Sequence, residues 1–340
     1  MDHPIAFADN RKFDLVCLGR LGIDLNCNQY NRPMCEVDSF SPTVGGSPAN
    51  IAIGAAKLGA SVGFVGRVSN DQLGSFILKK LDAFGVNTDN VIRDTDGARN
   101  CLAITEILSP TKSGSVLYRD QVADLNLTYS DICESYLAQS KLLLVSGTAL
   151  SRSPSREAAF LAAYYARKHN VAVALDIDHR PYTWSCAEES ALYYQMFCEK
   201  CDIIIGNSEE FDAMALHFMP DRKSDRALAD ALLEQGAKLV IVKYGADGSA
   251  AYTADGSETT CGIFPADLKK TFGSGDAFAA GLLTGLCQGK ALYDAMADGS
   301  AAASIVVSSY NCSEASPTRQ QLDAYMAHHT ITTFGGQPTC

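Results

Sequence analysis

The chain has 340 residues, 47% apolar and 20% charged, with a formal charge of −11. These proportions fit a globular protein that buries a large core without staples, and they exclude a nucleic-acid partner held by a basic surface. The start, MDHPIAFADNRKF, has no basic stretch leading into an apolar one, and no apolar run reaches the ~18 residues of a membrane span. A cytoplasmic protein without a membrane partner is expected.

The first strand is predicted at FDLVCLG (13–19). Residues 26–44 are then polar and extended. A helix is predicted over 48–58, where Ser47-Pro48 supplies a capping hydroxyl and a proline at the first position. A strand at 61–66 and a helix at 71–84 follow. Residues 100–120 read as two strands joined by a Ser-Pro…Ser-Gly turn. The rest alternates: strands at 141–147, 171–178, 201–207 and 238–245, with helices at 155–169, 187–199 and 223–235. Most of these strands are continuously apolar, as expected when both faces are covered. The pattern predicts an α/β fold, a mainly parallel sheet layered with helices on both faces. The segments 26–44 and 100–120 interrupt it, and form either a small β-flap over one end of the sheet or surface loops. One domain is expected over 11–327, with 328–340 as a C-terminal tail whose His328 and His329 face solvent.

Twelve cysteines are scattered along the chain. Cys198 and Cys201 have CxxC spacing, but no second pair completes a zinc site, so free core thiols are expected.

The segment KTFGSGDAFAAG (270–281) carries the strongest chemical signal. A helix is predicted from about Asp276 to Gln288, with small residues that let it pack closely. The amides of Gly273, Ser274 and Gly275, with the unpaired amides of the first turn, form a cradle for an anion. A carboxylate beside such a cradle either caps the helix or takes a proton from a hydroxyl that attacks the bound anion. GxxxxGK[ST] and GxGxxG are both absent, which excludes a Walker-type loop and a dinucleotide fingerprint. A second signal is VGGSPANIAIGAAKLG (44–59), where Gly45-Gly46 allows close approach to a ligand and Asn50 lies on the first helical turn. With Asp24, after the first strand, these groups lie at strand carboxyl ends, where open α/β sheets bind ligands. The alternatives are an ordinary turn and a solvent-facing Asn50.

GGSPANIAIGAAKLG and TFGSGDAFAAGLL, in this order, resemble the two signatures of the ribokinase-like carbohydrate kinases, the phosphofructokinase-B family. The resemblance runs from about Phe13 to Gln321. It implies a three-layer α/β/α fold with a β-flap lid at 26–44 and 100–120, and dimers through that lid. It implies ATP and Mg²⁺ as cofactors. It further implies that Asp276 is the general base, that Gly273, Ser274 and Gly275 form the anion hole, and that Asp24, Gly45, Gly46 and Asn50 bind sugar hydroxyls. NSEEF (207–211) resembles the family's N-x-x-E motif, so Asn207 and Glu210 would organise Mg²⁺ through water. KYGADG (243–248) resembles a turn lining the nucleotide, with Lys243, Gly245 and Gly248. Lys270 stands where the family usually has an acidic residue that helps hold a monovalent cation. Its ammonium either replaces that ion or points to solvent.

Arg32, Arg119 and Arg180 fall near the expected mouth of the site. Several guanidinium groups suit a carboxylate, which Arg binds with a bidentate fork, so a sugar acid is expected rather than ribose, adenosine or fructose. Arg119 and Arg180 are the substrate candidates, with surface ion pairs as the alternative. Within the family, residues 28–34, 117–125, 144–150, 153–158 and 175–184 resemble kinases of six-carbon acids with one keto and one deoxy carbon. A non-catalytic sugar-acid sensor would have lost Asp276 or the GSG amides, and both are present.

Overall fold

The computed structural model describes residues 3–336. Nine strands build the main sheet: β1 (Phe13–Leu18), β4 (Val62–Val68), β5 (Val86–Arg93), β8 (Ser140–Ser146), β9 (Ala172–Asp176), β10 (Ile203–Asn207), β11 (Leu239–Lys243), β12 (Ser249–Thr253) and β13 (Glu258–Cys261). Their order is β13-β12-β11-β10-β9-β8-β1-β4-β5. The strands from β5 across to β11 are parallel, and β12 and β13 add an antiparallel edge.

Alternate residues of each central strand enter different cores. Leu142 and Leu144 of β8 face α1 (Ser47–Lys57), α2 (Gln72–Ala83), α8 (Ser274–Cys287) and α9 (Leu292–Val307). Leu143 and Val145 face α3 (Glu134–Leu137), α4 (Ser155–Lys168), α5 (Ala187–Cys198), α6 (Ser208–Ala215) and α7 (Asp225–Glu234). The result is three layers, α/β/α. Both strand faces are dry, which explains the continuous apolar runs. The helix α10 (Arg319–His328) closes the chain over a smaller cluster. A Cβ on Gly281 would lie 2.7 Å from the Gly299 Cα, so α8 and α9 touch along their backbones. Cys198 and Cys201 are buried free thiols, both pushed upward in pKa by burial, and they belong to the core.

A second sheet has four strands in the order β3-β2-β6-β7: β2 (Gly22–Cys27), β3 (Phe40–Gly45), β6 (Cys101–Ser109) and β7 (Lys112–Tyr118). It begins at Gly22, earlier than the residue 26 expected, because GIDLNC pairs with both β3 and β6. The strands β5, β12 and β13 and the helices α3, α6, α9 and α10 lie outside the elements predicted from sequence. The helix α8 starts at Ser274, two residues before Asp276. In the tail, the Thr332 amide donates to the Ile263 carbonyl at 2.9 Å. No helix among the described residues is long and apolar enough to cross a membrane.

Candidate active site

Gly273 is the N-cap of α8, with φ of 84°, and no side chain caps this helix. A positive φ favours glycine. The Ser274 hydroxyl turns back to the Thr271 carbonyl at 2.9 Å. The first-turn amides are therefore left for an outside acceptor. Asp276, the third residue of α8, does not act as a cap. Its Oδ2 accepts a hydrogen bond from Asn50 Nδ2 at 2.8 Å, joining positions 226 residues apart. Asn50 is buried on the first turn of α1, so it does not face solvent.

The cap of α1 is Gly46, with φ of 105°, and a Cβ there would lie 2.4 Å from the Arg20 carbonyl. A Cβ on Gly45 would lie 2.0 Å from Asp24 Oδ1. The glycine pair thus lets the start of α1 sit against the end of β1 and the start of β2, bringing Asp24 within electrostatic reach of Asp276. Burial pushes Asp24 up to about 6, with Arg20 opposing and Asp276 adding to the rise. Burial and the nearby Asp178 also raise Asp276, against Asn50, Ser47 and Arg180, which favour its charged form.

Beside the uncapped helix end lies a cluster of opposite charges. Lys243 Nζ, at the end of β11, is 3.5 Å from Asp176 Oδ1 and 4.0 Å from Glu210 Oε2. A Cβ on Gly275 would lie 3.3 Å from the same Nζ, so the absence of a side chain there lets the lysine reach the loop. Burial works against the Lys243 charge, but Asp176, Glu210, Asp276 and Asp178 outweigh it and raise its pKa. Asp176 is raised by burial, with Lys243 opposing. Its Oδ1 is buried and accepts no hydrogen bond among the described residues. Asn207 and Glu210 form a reciprocal capping box at the start of α6, with both bonds at 2.8 Å. Gly245 (φ 59°) and Gly248 (φ 103°) shape the turn after β11. The tail crosses that turn: the Gly335 amide donates to the Asp247 carbonyl at 2.9 Å, and Phe334 packs edge-on to Tyr244 at 5.5 Å.

A cavity of roughly 430 Å³ opens between the two sheets, walled by Arg20, Asp24, Gly45, Gly46, Arg180 and Phe272, with β6 and β7 on the far side. Arg180 Nη2 pairs with Asp178 Oδ1 at 2.7 Å, and Asp178 has a positive φ of 36°, uncommon outside glycine but better tolerated by Asp than by most residues. Arg119 is not on the cavity wall; its fork is taken by Asp124, at 3.3 and 2.9 Å. Arg32 is exposed on the segment between β2 and β3. Lys270 is 1% exposed, so it does not point to solvent. Its Nζ donates to the Phe272 carbonyl at 2.6 Å, beneath the glycine loop. Burial lowers its pKa, against Cys312 and Asp276.

The residues that sequence reasoning did not single out are Arg20, Asp176 and Asp178. Each ends or follows a parallel strand at its carboxyl end, and that position was the available signal.

The pfkB family carbohydrate kinase profile matches residues 12–319. The chain belongs to that family. It is 50% identical over 324 residues to the 5-dehydro-2-deoxygluconokinase of Bacillus anthracis (strain CDC 684 / NRRL 3495), covering 95% of this chain and 98% of the relative. The 5-dehydro-2-deoxygluconokinase of Geobacillus thermodenitrificans (strain NG80-2) is also 50% identical, over 95% and 96% of the two chains. Among solved structures, the fructokinase with bound ATP from Xylella fastidiosa superposes with a TM-score of 0.80 over 92% of this chain and 98% of that one, at 21% identity. That likeness concerns the fold. As a pfkB kinase the chain is a phosphotransferase with an alcohol group as acceptor.

Proposed function

We propose that this pfkB kinase transfers the γ-phosphoryl group of ATP to the terminal hydroxyl of 5-dehydro-2-deoxygluconate, giving the 6-phosphate, a step in myo-inositol catabolism. The observation that carries the reading is Asp276, held by Asn50 at an uncapped helix start. A capping role would have used that carboxylate on the helix amides. Instead it is free to accept a proton, and its raised pKa makes it a stronger base toward an alcohol. The relatives' printed names and their 50% identity support the choice of substrate.

In this reading Asp24 and the Gly45-Gly46 backbone orient the sugar hydroxyls. The amides of Gly273, Ser274 and Gly275 receive the transferring phosphoryl group, and Lys243, behind Gly275, balances its charge. Asn207, Gly245 and Gly248 lie on the nucleotide side. Asp176 Oδ1, buried and accepting no hydrogen bond although Lys243 lies 3.5 Å away, and the neighbouring Glu210 suit a hydrated Mg²⁺. Held by these two carboxylates, it would supply positive charge to offset that of the phosphates. Lys270 holds the loop from beneath by its bond to Phe272, and its charge stands in for a monovalent cation. The small sheet acts as a lid over the sugar. A homodimer would form through its outer face, where Val116 is 46% and Tyr118 60% exposed on the edge strand β7. The kinase would work in the cytoplasm on its two small-molecule substrates.

The test is ADP release with 5-dehydro-2-deoxygluconate, 2-dehydro-3-deoxygluconate, fructose and adenosine, with the product identified by ³¹P NMR. The first should give the highest kcat/KM. Preference for 2-dehydro-3-deoxygluconate or fructose would reassign the substrate, and ADP release with none of the four would favour a sensor.

A further inference from the structure

Arg20 follows β1 and lines the cavity together with Asp24, Gly45, Gly46 and Arg180. Its backbone is pinned where the Arg20 carbonyl meets Gly46. Among the described residues its side chain makes no ion pair and no hydrogen bond, and its Nε is shut off from solvent without a partner. The other candidate arginines differ. Arg180 is neutralised by Asp178, Arg119 is closed by Asp124, and Arg32 lies outside the cavity wall. Arg20 and Arg180 repel one another across the pocket, so an anion between them would relieve that repulsion.

Asp178 and Asp24 attract the Arg20 guanidinium through space, but no acceptor reaches its donors, and a buried Nε without one is unfavourable unless a ligand supplies it. A planar carboxylate supplies two in the matching geometry, and a neutral hydroxyl does not. Resting on the sugar-acid reading above, we propose that Arg20 binds the substrate carboxylate, with Arg180 flanking it, and that Arg20 is the residue that selects acids over neutral sugars. It holds the end of the substrate remote from the hydroxyl that Asp276 deprotonates.

The experiment compares 5-dehydro-2-deoxygluconate with its neutral carboxamide in the wild type, Arg20→Met and Arg20→Lys. The wild type should favour the acid. Arg20→Met should lower kcat/KM for the acid by about 100-fold, mainly through KM, the scale of losing one partner of a desolvated charged pair. Turnover of the carboxamide should fall far less, because its oxygen takes only a neutral hydrogen bond from Arg20, ATP affinity should hold, and Arg20→Lys should recover part of the loss because it keeps the charge. An unchanged KM for the acid in Arg20→Met overturns the proposal, as does an equal loss on acid and carboxamide, which marks a purely structural role. Should Arg20→Met fail to fold, Arg20→Lys carries the test: full acid preference there overturns the need for a fork. A wild type that ignores both compounds but phosphorylates a neutral sugar overturns the sugar-acid reading itself, and is recognised before any variant is made.

Discussion

Replacing Asp276 with Asn separates its chemical role from its structural one. The amide has the same shape, and its oxygen can still accept from Asn50 Nδ2, which donates to Asp276 at 2.8 Å. What disappears is the ability to take a proton. A positioned general base contributes roughly 10²–10⁴-fold to rate, or about 2.7–5.5 kcal/mol of barrier at ~1.36 kcal/mol per tenfold. The kcat should fall within that range. ATP should bind as well as before or better, because a negative charge beside the phosphate cradle has gone. Stability should move the other way. Asp276 has a folded pKa raised above its unfolded value, so its contribution is fully present at pH values below the unfolded pKa and is lost as pH rises through the folded one. At neutral pH its ionisation therefore works against folding. Asp276→Asn should melt at a higher temperature than the wild type near pH 7, with the gap closing in acid. Coupled ADP release, calorimetric ATP titration and melting curves at two pH values measure all three quantities. A kcat within tenfold of wild type would refute the base assignment. A lower Tm at neutral pH would refute the electrostatic argument.

Asn50→Ala removes a bond that favours ionised Asp276, so the Asp276 pKa rises further, and the acidic limb of the kcat–pH profile should move to higher pH; an unmoved limb counts against the pairing. Lys270 already supplies a buried positive charge under the loop, so wild-type rates should match in Na⁺ and K⁺ buffers, whereas strong stimulation by K⁺ would show that its ammonium does not replace the ion. Arg119→Met leaves Asp124 as an unpaired buried carboxylate, which should destabilise the fold by about 3–5 kcal/mol in denaturant titration without altering the preference for acid over carboxamide; loss of that preference would return Arg119 to the substrate site.

The limits of sequence reading follow from what each signal depends on. Strands buried on both faces, such as KLLLVSG and KLVIVKYG, announce themselves by composition. By contrast β5, at the sheet edge, reads VNTDNVIR, with buried and partly exposed positions mixed, and it resembles a loop. The antiparallel β12 (SAAYT) and β13 (ETTC) are hidden for a different reason: they are short and built largely of small or polar residues, and their pairing is set by the neighbouring strand. The glycine-rich start of α8 was legible because anion cradles and left-handed caps restrict residue type at fixed spacing.

Which charges meet across the fold was not legible, because pairing depends on three-dimensional neighbours. Arg119 and Arg180 look equivalent in the chain. Tertiary packing gives one to Asp124 outside the cavity and the other, on the cavity wall, to Asp178, while Arg20, in an unremarkable GRLG, is left without a hydrogen-bond acceptor for its Nε. Local residue chemistry alone determined the layered fold, the cradle and the acid beside it. Only the folded chain decided which arginine is free, that Lys270 is buried, and that Asn50 reaches Asp276, because those outcomes depend on groups brought together from distant parts of the sequence.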